Sequence, residues 1–175
     1  MYEVRIHSRG GQGGTTAARL VADAAFRDGK FAMASPFYGA ERRGAPIASY
    51  IRINDQPIRV YSYIHNPDLV IVLDTSIMGA VNTLKGLKEG GLVILNSSQP
   101  KEIANVKTYY VDLTGIALGQ KLIIAGNPVL NTPLLGAIAR IGIISLNSAI
   151  AAIRGMFSDE RNVTAAEAAY RELVL

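Results

Sequence analysis

The stretch Tyr2-Glu3-Val4-Arg5-Ile6-His7-Ser8-Arg9-Gly10-Gly11-Gln12-Gly13-Gly14-Thr15-Thr16 decides the fold. Tyr2, Val4 and Ile6 alternate with Glu3, Arg5 and His7, the period-two pattern of a short strand. Five residues, four of them glycine, follow from Gly10 to Gly14, and Thr15 and Thr16 then open a helix. Its apolar positions Ala17, Ala18, Val21, Ala24 and Ala25 recur at helical spacing, and Gly29 is placed to stop it. Strand, glycine turn and helix in that order begin an α/β fold.

The pattern continues outward. Residues 30–35 form a second strand, and the run 35–46, with two prolines and two glycines, forms a loop. Residues 47–54 and 58–61 read as a hairpin across Asp55-Gln56-Pro57. Leu69-Val70-Ile71-Val72-Leu73 is apolar on both faces, as a strand covered on both sides of a parallel sheet must be. Asp74-Thr75 then caps a predicted helix carrying Ile77, Val81, Leu84 and Leu87. Strands follow at 92–95 and 106–111, and helices at 114–122, 134–143 and 147–157. Asn131-Thr132-Pro133 reads as a capped helix start, and Thr164-Ala165-Ala166-Glu167 as the capping box of a final helix. The expected architecture is a single domain over residues 1–175. It is α/β and Rossmann-like: a doubly wound, mostly parallel sheet with an inserted or edge β-hairpin.

Composition narrows the function. The chain has 175 residues, 49% hydrophobic and 18% charged, which excludes intrinsic disorder. No uncharged apolar run approaches the roughly 20 residues of a membrane span, and no signal-peptide core opens the chain, so a cytoplasmic protein with no membrane partner is expected. The net charge of +4 is uneven: residues 1–60 hold nine basic and five acidic side chains, residues 61–175 nine of each. A localised excess points to an anionic partner. There is no cysteine, which removes disulfides, thiolate nucleophiles, Cys-ligated zinc and thiolate-held iron–sulfur clusters. The two histidines, His7 and His65, have no ligand-spaced companions, so no metal site is expected.

Two segments could carry chemistry. Gly11, Gln12, Gly13, Gly14 and Thr15 lie where free amides at a helix N-terminus can hold a phosphate or carboxylate; the same glycines could equally serve a tight turn. Neither standard nucleotide motif fits. Thr16 stands where a third glycine should be, no acid ends the second strand, and no Gly-Lys-Ser/Thr follows. The second segment is the loop holding Tyr38, Glu41, Arg42 and Arg43, whose Tyr and Arg composition suits a buried contact with a partner or anionic ligand. Asp74 stands at a carboxyl strand end, where a cap explains it as well as a functional role. No nucleophile with a paired base and no carboxylate pair of defined spacing is present, so no catalytic residue is assigned. A free-standing Rossmann-type nucleotide-binding protein is the alternative; a nucleic-acid-binding domain, suggested by a pI near 9.4, lacks any motif to support it.

Three motifs together carry a resemblance. They are Gly10-Gly11-Gln12-Gly13-Gly14 after the first strand, Pro36-Phe37-Tyr38-Gly39-Ala40-Glu41-Arg42-Arg43-Gly44-Ala45-Pro46, and Asn131-Thr132-Pro133-Leu134-Leu135-Gly136-Ala137. With Pro67-Asp68, Ser145-Leu146 and the closing helix from Asn162 to Tyr170, the chain resembles over its whole length the gamma subunit of the 2-oxoacid:ferredoxin oxidoreductases, closest to the pyruvate and 2-ketoisovalerate branch. The resemblance implies an accessory subunit of an enzyme that oxidatively decarboxylates a 2-oxoacid and passes the acyl group to coenzyme A and electrons to ferredoxin. It implies that thiamine diphosphate, magnesium and the iron–sulfur clusters sit on partner chains: alpha, a thiamine-binding beta, and a ferredoxin-like delta subunit. On this reading the glycine turn meets an anion such as a coenzyme A phosphate or packs closely at a subunit interface. The loop with Tyr38, Glu41, Arg42 and Arg43 docks near the active-site entrance.

Overall fold

The computed structural model describes residues 1–36 and 44–174. Tyr38, Glu41, Arg42 and Arg43 lie outside the described residues. The first strand, β1 (Tyr2–Arg9), leads into α1 (Gly14–Arg27), β2 (Phe31–Pro36) and β3 (Pro46–Asn54). Then come β4 (Leu69–Val72), a single 3-10 turn (Thr75–Gly79), β5 (Leu92–Asn96) and β6 (Lys107–Val111). The C-terminal part holds α2 (Leu113–Gly119), a small hairpin β7 (Ile123–Ile124) and β8 (Asn127–Pro128), and the helices α3 (Asn131–Arg140), α4 (Leu146–Met156) and α5 (Arg161–Glu172). No described helix is long and apolar enough to cross a membrane.

One six-stranded sheet runs in the order β2-β3-β1-β4-β5-β6. β1, β4, β5 and β6 are parallel, and β3 is antiparallel to both of its neighbours, β1 and β2. The mostly parallel sheet with an antiparallel edge is therefore present, but the edge is built differently from the expected hairpin. Residues 58–61 form no strand; β3 pairs with β2 on one side and β1 on the other, so no edge of β3 remains for them. They belong instead to a strap, residues 55–66, that crosses one face of the sheet. Arg52 Nη1 donates to the Val60 carbonyl at 3.3 Å and Arg5 Nη1 to the Ile64 carbonyl at 3.3 Å.

The main core lies on the other face. Val4 and Ile6 of β1, Ile51 and Ile53 of β3, and Ile71 of β4 pack there against α1, α3, α4 and α5. Each such fully buried side chain contributes about 1.5–3 kcal/mol. Val70, Val72, Val93 and Leu95 form a second, smaller core with Met78, Leu84 and Leu87, which bears out the two-faced apolar reading of β4 and β5. The helix predicted over 77–87 shrinks to the 3-10 turn. Asp74 caps it as expected, accepting from the Ser76 amide at 3.0 Å. Beyond Gly79 the carbonyls of Thr83 and Lys85 accept from Arg5 Nη2, at 3.0 and 2.6 Å, which a continuing helix would engage internally.

Two helix boundaries are legible in the sequence and two are displaced from it. At the end of α1, Lys30 N–H bonds the Ala25 carbonyl and Gly29 N–H the Phe26 carbonyl, with Gly29 at φ +79°, the Schellman stop expected of that glycine. Ser145 caps α4 through the Ser148 amide at 3.1 Å. Thr164 is no cap: α5 begins a turn earlier, Asp159 Oδ1 accepts from the Arg161 amide, and Thr164 Oγ1 donates back to the Glu160 carbonyl inside the helix. The predicted cap at Asn131 is likewise displaced by one residue, since Asn131 is already the first residue of α3, its Oδ1 accepting from the Thr132 amide at 2.8 Å.

Candidate functional site

The chain direction of the sheet changes around β1. The connection after β1 runs toward β2, and β4 lies on its other side, so the carboxyl ends of β1 and β4 flank the crevice where α/β sheets bind ligands. Arg9 ends β1 and Asp74 follows β4. Arg9 Nε donates to Asp74 Oδ2 at 2.8 Å, Nη1 to the Gly44 carbonyl at 2.8 Å and Nη2 to Ser76 Oγ at 2.7 Å. Burial raises the Asp74 carboxyl, but the Ser76 hydroxyl and amide and the Arg9 guanidinium outweigh it and hold the group below its ordinary value. Asp74 is therefore both a cap and an ion-pair partner.

The glycine turn is fixed to the same cluster. Gln12 N–H bonds the Arg9 carbonyl, Gln12 Oε1 accepts from the Arg9 amide at 2.7 Å, and Gln12 Nε2 reaches Asp74 Oδ2 at 3.4 Å. Gly10 donates to the Ala45 carbonyl and accepts from the Gly44 amide, so the turn is clamped to the segment entering β3. Gly11, at φ +96°, is exposed and has open space where a side chain would project. With Arg9, Gln12 and Gly44 it lines one wall of a cleft of about 490 Å³, whose opposite wall is the β7–β8 hairpin at Ile124 and Asn127. That volume is within the usual range for ligand sites, about 300–1,000 Å³.

The other glycines answer to packing. Gly13, at φ +86°, sits against Asn131 of α3, and a side chain on Gly14 would collide with the buried Ser8 hydroxyl. Thr15 Oγ1 faces Ser49 Oγ at 3.4 Å, toward β3. The amides of Gly14, Thr15 and Thr16 meet no acceptor among the described residues, as the first turn of a helix requires. Lys101 Nζ reaches Thr75 Oγ1 at 3.0 Å and puts a second cation near the crevice. The structure thus brings Gly11, Gln12, Gly13, Gly14 and Thr15 together with Arg9 and Asp74. Arg9 escaped sequence reasoning; its one signal was a cation directly before the glycines.

His7 lies buried against Arg5. Only 7% exposed, it accepts from Arg5 Nε at 3.0 Å, and burial together with the Arg5 charge pushes it down to about 4. Among the described residues no group of three His, Asp or Glu side chains is placed to hold a metal ion. The dinucleotide reading loses ground on topology as well. The strand after α1 is separated from β1 by β3, and the last described residues of β2, Ser35 and Pro36, include no acid to hold a ribose.

Comparison with known proteins identifies the family. The profile of the pyruvate ferredoxin/flavodoxin oxidoreductase family matches residues 3–172. Pyruvate synthase subunit PorC of Methanothermobacter marburgensis is 45% identical over 99% of this chain and 98% of its own length. The pyruvate/ketoisovalerate oxidoreductases common subunit gamma of Thermococcus kodakarensis is 45% identical over 100% of this chain and 98% of its own. The crystal structure of pyruvate oxidoreductase subunit PORC from Thermotoga maritima superposes with a TM-score of 0.85 at 34% identity, covering 99% of this chain and 97% of that one.

Proposed function

The chain belongs to the pyruvate ferredoxin/flavodoxin oxidoreductase family as a gamma-type accessory subunit, and from that premise we propose that it supplies the coenzyme A side of the reaction. In the assembled enzyme a 2-oxoacid such as pyruvate or 2-ketoisovalerate is oxidatively decarboxylated, the acyl group passes to coenzyme A, and electrons leave to ferredoxin. A relative named as the common subunit of pyruvate and ketoisovalerate oxidoreductases serves two oxoacids. A subunit of that kind handles what the two reactions share: the acyl acceptor or the electron route. This chain has no cysteine and offers no thiolate to an iron–sulfur cluster, which favours the acceptor. Thiamine diphosphate, magnesium and the clusters belong on this reading to alpha, beta and ferredoxin-like delta chains.

The observation that carries the proposal is the cleft at the carboxyl ends of β1 and β4. There the exposed main chain of Gly11 allows close approach, the α1 N-terminus that follows the turn favours a phosphate, and Lys101 stands outside the cleft on Thr75, beside Asp74. The Arg9 charge is already matched by Asp74, so its part is to hold the turn in shape. The loop with Tyr38, Glu41, Arg42 and Arg43 joins this reading on its sequence alone: it ends at Gly44, which lines the cleft, and its two arginines suit an anionic group of coenzyme A or of the 2-oxoacid. The test is hydrogen exchange of the intact complex with and without coenzyme A. Slower exchange across residues 9–16 is expected; unchanged exchange there at saturating coenzyme A overturns the assignment. Replacing Arg42 and Arg43 by alanine is expected to raise the KM of coenzyme A or of the 2-oxoacid, and unchanged assembly with both constants unchanged removes the loop from the proposal.

A further inference from the structure

The face of the sheet opposite the main helices carries a buried cation, Arg5. Arg5, 7% exposed, meets no carboxylate among the described residues; its guanidinium is held by the carbonyls of Ile64, Thr83 and Lys85 and by the His7 ring. Burial lowers its pKa, yet an arginine stays charged at any physiological pH. Arg52, 2% exposed beside it on β3, is by contrast paired with Glu3 at 2.9 Å. A charge held in a low-dielectric interior and matched only by dipoles projects its field through the thin layer that covers it.

That layer is the strap 55–66 and the adjoining turn 83–88. The two are joined closely: a side chain on Gly86 would collide with the His65 carbonyl. Val60 and Ile64 are pinned from below through their carbonyls, so the strap is held in place although it has no regular structure. Its outer side presents Arg59 and Tyr61, the latter 79% exposed, with Val60 at 43%, while Tyr63 leans on Tyr50 with ring centroids 5.6 Å apart. Lys85 is exposed on the turn. Neither Arg59 nor Lys85 has a carboxylate partner among the described residues. Tyrosine and arginine around an apolar centre are the composition of a protein interface, and a positive field beneath them selects the sign of the partner.

We propose that this face, centred on Tyr61 with Arg59 and Lys85 at its rim, docks an acidic surface of another subunit of the oxidoreductase. This rests on the chain working inside a multi-subunit enzyme. Acidic side chains of the partner supply the counter-charge that Arg5 lacks among the described residues, and Tyr61 provides the contact area. The face is separate from the crevice: Arg5 lies four residues back along β1 from Arg9.

The experiment follows release of this chain from the intact complex by native mass spectrometry as NaCl rises. The wild type is expected to dissociate progressively with salt. The double variant Arg59→Glu/Lys85→Glu is expected to dissociate at least about tenfold more readily at low salt and with a weaker salt dependence. Tyr61→Ala, which changes no charge, is expected to weaken assembly with the salt dependence retained, and Arg171→Glu on α5 serves as the control. A complex that holds the double variant and Tyr61→Ala as tightly as wild type overturns the docking face alone. Loss of self-association of the free chain in Tyr61→Ala, with assembly unaffected, assigns the face to a second copy and also overturns it. A wild-type chain that enters no complex overturns the subunit reading itself.

Discussion

Arg9 Nε and Asp74 Oδ2 meet at 2.8 Å across the carboxyl ends of two adjacent parallel strands, 65 positions apart in the chain. The pair orders the candidate site, because Arg9 also holds Gly44 and Ser76 and Asp74 also holds the Ser76 amide and Gln12. Both side chains are partly exposed, at 33% and 23%, so the ion pair itself contributes modestly, and most of the effect lies in the hydrogen bonds around it. Asp74→Ala is expected to lower stability by about 1–2 kcal/mol. It is also expected to raise the KM of coenzyme A several-fold in the assembled enzyme while leaving that of the 2-oxoacid unchanged. Equal rises in both constants would show that the cluster only supports the fold.

A second prediction concerns acid. His7 is depressed to about 4 in the folded chain, mainly by burial and then by the Arg5 charge, against an ordinary histidine value of 6.5. Between those values the unfolded chain binds the proton and the folded chain does not. The stability this histidine contributes is complete above pH 6.5 and is lost as pH falls toward 4. Between pH 7 and pH 5 the loss amounts to at most about 2 kcal/mol. His7→Gln keeps an acceptor for Arg5 Nε and cannot titrate, so its urea midpoint should change less over that interval. Equal acid sensitivity in the variant would assign the loss to other groups.

The close crossing of α3 and α5 gives a third. A Cβ on Gly136 would collide with the backbone of Ala166 and lie 3.0 Å from the Tyr170 amide nitrogen. The obstacle is main chain, which no rotamer change can clear. Alanine favours a helix over glycine by about 1 kcal/mol, whereas forcing packed elements apart costs about 1–3 kcal/mol and sometimes more. The clash should win, making Gly136→Ala less stable by about 2 kcal/mol in equilibrium unfolding. A variant as stable as wild type would mean that the two helices can separate freely.

What was legible in the sequence was local. The period-two pattern of β1, the two-faced apolar run of β4 and the stop at Gly29 each depend on neighbouring residues. The errors arose where distant partners took over backbone groups. Arg5 claims the carbonyls of Thr83 and Lys85 and so prevents the predicted helix over 77–87, and β1 and β2 occupy both edges of β3, so 58–61 cannot pair with it. The glycine turn was legible as a candidate site because glycine runs are conspicuous. Arg9 was not, since its role depends on β4 lying beside β1, and the cleft wall at Ile124 and Asn127 left only a Gly126-Asn127 turn signal.

The Ser8 hydroxyl supplies the last test. Ser8 is fully buried on β1 and its Oγ has no hydrogen-bond partner among the described residues, under the point where Gly14 begins α1. A buried unpaired hydroxyl costs about 1–3 kcal/mol relative to one that is bonded. Removing it in Ser8→Ala should therefore leave stability unchanged or raise it by about 1 kcal/mol. Gly14→Ala acts in the opposite sense: its new methyl would be driven onto Ser8 Oγ and lie 3.1 Å from Ser8 Cβ, at an expected cost of about 1–3 kcal/mol. Combining the two removes the clash with oxygen and leaves the carbon contact, so the double variant should recover part of the loss. Thermal unfolding of the three variants checks this. A Ser8→Ala chain that melts well below wild type would show that the hydroxyl has a partner at the helix N-terminus; loss of coenzyme A protection across residues 9–16 in the same variant would place that partner in the ligand site.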